Sequence, residues 1–307
     1  MTHVSPQPIS LTIITKNRAQ YLNDCLTSIK NQSIYPIECI IIDSSDTQET
    51  KKIVEQWKKR VPFRIQYIYE PRSGFPIARN QAIQHAHGTW IASIDDDCIA
   101  DKQWIRAMYK SIQHNPHVSA ILGKTMTIYR DNPIARATEL NETYWKARGR
   151  FNTNITDLEI LDNKNIVLSK KFLTQKNIRY DESRVFQYNG ASEDCDLGMQ
   201  IQSKGGKAKY NPSMIVFHKD PTDIISYLQH KVLRTRAHLT YEHKWENIRS
   251  DIKHTSAHQK IKFFLSYIKQ EQLCFINSCI TFIMLTVTYI LIRWLKLSSY
   301  LSHKTYV

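Results

Sequence analysis

The stretch TWIASIDDDCIADKQW, Thr89 to Trp104, runs apolar through Ile94 and then meets three adjacent carboxylates, Asp95, Asp96 and Asp97. Like charges at that spacing repel one another unless a cation or a proton intervenes. Hard divalent cations take oxygen ligands, and Mg2+ binds through one or two carboxylates together with substrate phosphates. A metal–diphosphate site is therefore the chemistry that fits. An Asp-rich turn capping a helix that starts near Asp101 would explain the same letters, but the position of the cluster at a strand end favours the metal reading. A second acidic group, Glu193, Asp194 and Asp196, lies in NGASEDCDLGMQIQSKGG, which begins at Asn189. It falls in the first turn of a helix running to about Lys204, where the macrodipole favours ionised carboxylates in any case. Arg79 and Asn80, in ARNQAIQHAHG, sit on the first turns of another helix and taken alone read as a solvated face. His218 ends a short strand in NPSMIVFHKD, where a polar surface residue is the default.

These groups need elements to bring them together, and the first hundred residues supply a pattern. Ile9–Ile14 is a β-branched run, followed by a helical pattern over Ala19–Lys30 with Tyr21, Leu22, Cys25, Leu26 and Ile29 on one face. Ile37–Ile42 is a second apolar strand ending at Asp43. Thr47–Lys59 reads as a helix with Ile53, Val54 and Trp57 inward. Arg64–Tyr69 is a third strand, and a helix opened by Pro76 runs through His85 to a stop at Gly88. Thr89–Ile94 is the fourth strand. Strands and helices alternating at this spacing predict βαβ units and a parallel sheet covered on both faces. Ligands of open α/β sheets bind outside the carboxyl ends of the strands. Thr15, Asp43, Glu70 and Asp95–Asp97 all lie just past such ends, so they should meet in one crevice.

In order along the chain, these segments resemble a family 2 glycosyltransferase of the GT-A fold. LTIITKNRAQYLNDCLTSIKNQS is similar to the family's first strand and helix with its Thr-x-Asn-Arg turn, and IIIDSSDT to its second strand. GFPIARNQAIQHAHGTWIASIDDDC resembles the approach to the D-x-D motif. GASEDCDLGMQIQSKGGKAKYNP resembles the Glu-Asp motif on the acceptor side, and IVFH the strand whose histidine completes the metal site in some members. The resemblance covers about Ile9 to His218. It implies that Thr15, Asn17 and Asp43 hold the base and ribose, with Arg18 in the same turn, that Arg79 lies near the uridine or phosphate, and that Asp95 faces the ribose or sugar with Asp96 beside it. It further implies that Asp97 binds Mg2+ or Mn2+, with His218 as a further ligand. Asp194 would be the general base, with Glu193 beside the acceptor or donor sugar. The implied reaction transfers a sugar from a nucleotide-diphosphate donor, a UDP-sugar, to a hydroxyl with inversion. The Q-x-x-R-W signature of processive synthases is missing; QHKVLRTRAH, Gln229–His238, stands in the corresponding region. That implies one sugar added per encounter. Lys231, Arg234 and Arg236 there could meet a diphosphate or an anionic lipid, or form a solvated basic face. Acceptor choice is expected in Ile128–Ser183, where NKNIVLSKKFL resembles a stretch lining the donor pocket.

Composition is consistent with this and weighs against other classes. The chain has 307 residues and a net charge of +14, which suits nucleic acid, anionic lipid or a phosphorylated substrate alike. A non-catalytic basic protein binding nucleic acid or anionic membrane should carry a basic stripe with interleaved aromatics; here carboxylates cluster at strand ends, and no nucleic-acid partner is expected. A glycosidase could use paired carboxylates but has no need of a phosphate-suited βαβ site. A nucleotidyltransferase would need a glycine-rich loop after the first strand, and TKNRAQ has no glycine. No two of the six cysteines have C-x-x-C spacing, so free thiols are expected, and MTHVSPQPISLTIITKNR lacks a secretory h-region.

The C-terminal part differs in kind. Leu273–Ile292 has no charged residue, and at helical rise it covers roughly 30 Å, a bilayer core. Trp294, Arg293 and Lys296 follow it. Upstream, HQKIKFFLSYIKQ puts Lys260, Lys262 and Lys269 around apolar residues, a composition suited to an anionic membrane surface. A buried helix of the soluble fold is the competing reading. The chain therefore divides, as expected from sequence, into an α/β catalytic domain, 1–240, and a helical membrane-associated region, 241–307, with its apolar segment at about 273–292. The expected setting is the cell membrane with the catalytic domain on the cytoplasmic side. The acceptor would be a glycan or a lipid-linked glycan.

Overall fold

Strand β1 (Ile9–Thr15) is buried along almost its whole length, as is β2 (Glu38–Asp43). Both lie inside a sheet whose two faces are covered, which is why their sequences run apolar instead of alternating. The structure is a computed structural model and describes residues 8–147, 161–183, 192–245 and 257–304. Helices α1 (Ala19–Lys30), α2 (Glu49–Trp57) and α3 (Phe75–His85) separate β1, β2, β3 (Arg64–Tyr69) and β4 (Trp90–Ser93). These four strands are parallel. Thr15 is in register with Asp43, and Asp43 with Tyr69, so the loops after β1, β2 and β3 leave the sheet at one level. Ile94 N–H donates to Thr12 O at 3.2 Å, which carries the chain after β4 up to that same level.

Beyond β4 the sheet brings in antiparallel pairs, which the βαβ pattern of the first hundred residues does not reach. The full order is β3-β2-β1-β4-β7-β6-β8-β5, with β5 (Cys98–Ala100), β6 (Ala120–Thr127), β7 (Ile166–Ser169) and β8 (Ala208–His218). β7 runs antiparallel to β4 and β6, and β5 antiparallel to β8. Helices α4 (Trp104–His114), α6 (Lys170–Gln175) and α7 (Glu193–Ser203) complete this part. The helix stop expected from Gly88 has another cause. α3 ends with an extended Ala86, and Gly88 is needed because a Cβ there would lie 2.6 Å from Ser10 N and 2.7 Å from Pro8 O.

The chain forms two compact units, Met1–Met126 with Asn152–His218, and Thr127–Phe151 with Lys219–Val307. The boundary drawn at residue 240 from sequence thus differs from the observed division at His218. α5 (Pro133–Ala147) joins the later helices α8 (Ile224–Lys244), α9 (Ala257–Gln270) and α10 (Phe275–Lys304). Its apolar face explains this: Leu140 and Tyr144 pack with Phe263 and Tyr267, and Ala137 with Tyr227 and Met284. A buried ion network fixes α9 to α5. Arg136 Nη1 donates to both oxygens of Glu139 at 3.1 Å, Tyr267 O–H donates to Glu139 at 2.8 Å, and Arg130 and Glu271 close the ring.

Candidate active site

Every candidate from the first unit lies at the carboxyl ends of β1, β2 and β4 or on an element packed beside them. Asn17 takes a left-handed φ of 55°, a conformation Asn tolerates better than most residues. Its N–H donates to Ser45 Oγ at 2.7 Å, its Nδ2 donates to Asp46 Oδ2 at 2.7 Å, and its Oδ1 accepts from Asp46 N at 2.9 Å. It therefore ties the loop after β1 to the loop after β2. Asp43 is fully buried and accepts from Ser45 N at 2.9 Å and Tyr67 O–H at 2.8 Å. Glu70 accepts two bonds from the Arg72 side chain, which, against the opposing effect of burial, keep its carboxyl below the ordinary range.

The three adjacent aspartates have three different environments. Asp95 accepts from Arg79 Nη2 at 3.0 Å. Asp96 accepts from the Thr15 hydroxyl at 2.7 Å and from Arg18 Nη1 at 3.3 Å. Even so, burial and the neighbouring Asp97 charge push its pKa up to about 7. Asp97 is also desolvated, but His218, Arg18 and Lys164 outweigh that and hold it below the carboxylate range. Arg18 Nη1 donates to Asp97 Oδ2 at 2.9 Å, and His218 Nε2 stands 3.4 Å from Asp97 Oδ1. Repulsion within the triplet is thus eased by Arg79 on Asp95, by Arg18 between Asp96 and Asp97, and by the raised proton affinity of Asp96.

His218 reaches Asp97 because β5 and β8 pair with Cys98 opposite His218. Ligand-capable atoms of Asp97, Cys98 and His218 lie within 4.8 Å of one another. Burial pushes the Cys98 thiol well above its usual range. A carboxylate and an imidazole suit Mg2+ or Mn2+ better than a thiol does. Asp97 and His218 fit such an ion, and Cys98 does not.

Arg79 is buried, not on a solvated helix face. Its Nε donates to Glu193 at 3.0 Å, its Nη1 to Ser93 Oγ at 3.1 Å and its Nη2 to Asp95 at 3.0 Å. Burial opposes its charge, yet Asp95 and Glu193 hold its pKa above the ordinary arginine range. One guanidinium thereby joins α3, the end of β4 and the first turn of α7. Glu193 is buried, and burial together with the Asp194 charge raises its pKa to about 7. Asp194 is half-buried, and its Oδ1 accepts from Cys195 N at 2.8 Å. Residues Asn189–Ala191 of the same motif, and 148–160 of the expected acceptor region, lie outside the described residues.

The sequence placed Asn163 and Lys164 only within a stretch resembling a donor-pocket lining and gave Tyr180 no role. Asn163 Nδ2 donates to Glu193 at 3.0 Å and its Oδ1 accepts from Tyr180 O–H at 2.6 Å. Asn80 clamps the Tyr180 backbone, donating to its carbonyl and accepting from its N–H, each at 2.9 Å. The run Asp162–Asn165 is polar yet buried. Four polar residues directly before the apolar β7 were the signal that could have found it.

The model of the family described as Glycosyl transferase family 2 matches residues 10–173, more than half of the chain, from Ser10 of β1 through β7. The chain belongs to glycosyl transferase family 2. Among curated relatives, the Bacillus subtilis glycosyltransferase TuaG is 35% identical over 98 residues, 32% of this chain and 38% of TuaG. The minor teichoic acid biosynthesis protein GgaB of the same organism is 23% identical over 289 residues, 82% of this chain and 31% of GgaB. The chain thus spans a minor part of either relative. The mannosyltransferase PcManGT from Pyrobaculum calidifontis, solved with GDP-Man and Mn2+, superposes with a TM-score of 0.58 at 16% identity, over 96% of this chain and 80% of that one. S. aureus TarS 1–349 with UDP-GlcNAc gives 0.54 at 16% identity, over 85% and 81%. These likenesses establish the GT-A fold that the sequence motifs imply.

Proposed function

We propose that this family 2 member transfers one sugar from a nucleotide-diphosphate donor, a UDP-sugar, to a hydroxyl acceptor, with inversion. The observation that carries the reading is Arg79, a single buried cation bonded at once to Asp95 of the D-x-D turn and Glu193 beside Asp194. It couples a diphosphate-suited turn to a carboxylate able to take a proton. Glu193 is buried and bonded to Arg79, whereas the neighbouring Asp194 is more exposed and so better placed to meet an acceptor hydroxyl. Asp194 takes the proton of the acceptor hydroxyl as that oxygen attacks the anomeric carbon. The bond from that carbon to the diphosphate oxygen breaks on the opposite side, so configuration inverts. A divalent cation held by Asp97 and His218 would supply charge neutralisation at the leaving diphosphate. Asn17, Asp43 and Thr15 shape the loops on which base and ribose would lie. The loops are tied to one another before any ligand arrives, which limits the ordering cost of binding.

The likenesses to PcManGT, solved with GDP-Man, and to TarS, solved with UDP-GlcNAc, support a nucleotide-diphosphate sugar donor, and the match to GgaB, named for teichoic acid biosynthesis, supports a cell-surface glycan or lipid-linked acceptor. The absent Q-x-x-R-W signature supports single additions. The long apolar helix α10 supports a membrane setting, with the catalytic domain on the cytoplasmic side. The test is a screen of nucleotide sugars for thermal stabilisation and hydrolysis with Mn2+, followed by Asp194→Asn. Turnover should drop by about 10² to 10⁴ with donor affinity unmoved. Donor binding that falls in step with turnover would move Asp194 into the donor site and refute its role as base.

A further inference from the structure

The second unit turns a continuous apolar face outward, and its geometry differs from that of a membrane-crossing helix. By length and composition, Phe275–Ser298 of α10 could cross a bilayer. Yet one side of α10 is committed to protein. Thr281 Oγ1 donates to Pro133 O at 3.2 Å, Met284 packs with Ala137 and Tyr227, and Thr288 shares a 2.6 Å hydrogen bond with Tyr227 O–H. Further along, Lys296 Nζ stands 2.7 Å from Glu242 of α8. α8 itself carries Lys231, Arg234, Arg236, Glu242 and Lys244. Drawing α10 across a bilayer would either drag these charges into hydrocarbon or strip α10 of its polar partners, and both are costly.

The opposite side of α10 is apolar and bare. Ile276, Ile283, Ile290 and Leu297 recur every seventh residue and are 67%, 57%, 61% and 58% exposed. At 3.6 residues per turn they share one face, roughly opposite Thr281, Met284 and Thr288. Trp294 flanks this line. α9 extends the face: Phe264 and Phe282 are in ring contact at 5.3 Å, and Ile261 and Leu265, one turn apart, are both exposed. Cations border it. Lys260 Nζ lies 5.4 Å from the centre of the Tyr289 ring, Arg293 lies 5.3 Å from the same ring, and Lys262 is exposed next to Ile261.

We propose that α9 and α10 form an in-plane docking face for an anionic lipid leaflet. The row from Ile276 to Leu297 sinks to the acyl boundary, Lys260, Lys262 and Arg293 lie among the headgroups, and no segment crosses. The charge pattern selects this occupant: a long apolar row bordered by basic side chains and aromatic rings is what an interfacial helix presents, whereas an apolar contact with a second protein copy would have no use for the cations. The proposal rests on the membrane setting given above and specifies its form. Because the helix lies flat, the enzyme stays on one leaflet, at the surface where a lipid-linked acceptor is displayed.

The test uses the full chain in vesicles of phosphatidylglycerol and phosphatidylethanolamine. Ile276, Ile283, Ile290 and Leu297 are each replaced by Cys in a Cys274→Ser/Cys279→Ser background and labelled with a fluorophore, and quenching by lipids brominated at shallow or deep positions is read. All four positions should be quenched from the same shallow depth. Lys260→Gln and Lys262→Gln should each lower vesicle affinity about fivefold, and vesicles of phosphatidylcholine alone should bind weakly. Deep quenching at 283 and 290 with shallow quenching at 276 and 297 would establish a crossing helix and overturn the proposal. A defined dimer by light scattering that ignores vesicles would assign the face to a second copy. A monomer that ignores vesicles would remove the membrane setting altogether. Transfer to a soluble acceptor analogue is measured in parallel; its survival in every case would separate failure of the docking face from failure of the proposed reaction.

Discussion

Arg79→Met keeps the length of the side-chain stem and removes the charge that joins the two acidic turns. In the wild type, Glu193 binds its proton more tightly in the folded chain than at its ordinary value of 4.5, with a folded pKa of about 7. The stability linked to that proton is therefore fully present below 4.5, declines as pH rises through about 7 and is gone above it. Without Arg79 the Glu193 pKa moves higher still, because burial and the Asp194 charge act unopposed. Below pH 7 both proteins hold the proton on Glu193, and the variant loses only what Asp95 and Ser93 received. Asp95 is 26% exposed at its side chain and can recruit water, so this part is about 1–3 kcal/mol. Above pH 7 the wild type carries Glu193 ionised against Arg79 while the variant must keep it protonated, which adds about 1.4 kcal/mol per pH unit. At pH 8 the total should approach the ~3–5 kcal/mol typical of breaking a buried pair. Urea unfolding at pH 6 and pH 8, followed by fluorescence of the buried Trp90 and Trp104 in the same unit, measures this. In an Arg79→Met/Glu193→Gln background the pH-dependent part should vanish. An equal loss at both pH values, or a loss below ~1 kcal/mol, would refute the buried bridge.

Other substitutions probe separate parts of the structure. Asp97→Asn, like chelation of divalent cations, should abolish metal-linked stabilisation by UDP in a thermal shift assay while the unliganded protein unfolds as before; UDP binding unchanged in EDTA would remove Asp97 from metal chemistry. Gly88→Ala should cost about 1–3 kcal/mol through overpacking against Ser10 and Pro8, seen in urea unfolding. It should leave UDP binding intact, since Ser10 lies at the opposite end of β1 from Thr15; a neutral effect on stability would mean the backbones can separate there.

What the sequence determined by itself follows from local physics. The β-branched run at Ile9, the one-faced apolar pattern of α1 and Pro76 at the start of α3 are local signals, and β3 and α1 have the bounds the pattern predicts. Residues just past parallel strand ends must gather at one edge, which is why Thr15, Asp43 and the aspartate triplet could be named in advance. Tertiary structure alone decided what rests on pairing between distant segments. Arg79 looks like a solvated helix residue until Glu193, 114 positions later, is brought against it. His218 is an ordinary strand end until β8 pairs antiparallel with β5 and delivers it to Asp97. Tyr180 has no periodic or motif signal, and the resemblance of the stretch that begins at Asn163 does not reveal its bonds, because a buried polar network is specified by partners and not by spacing. The C-terminal helix makes the same point: its long uncharged stretch has the composition of a membrane segment, while the contacts on Thr281, Met284 and Thr288 decide which of its faces is left exposed.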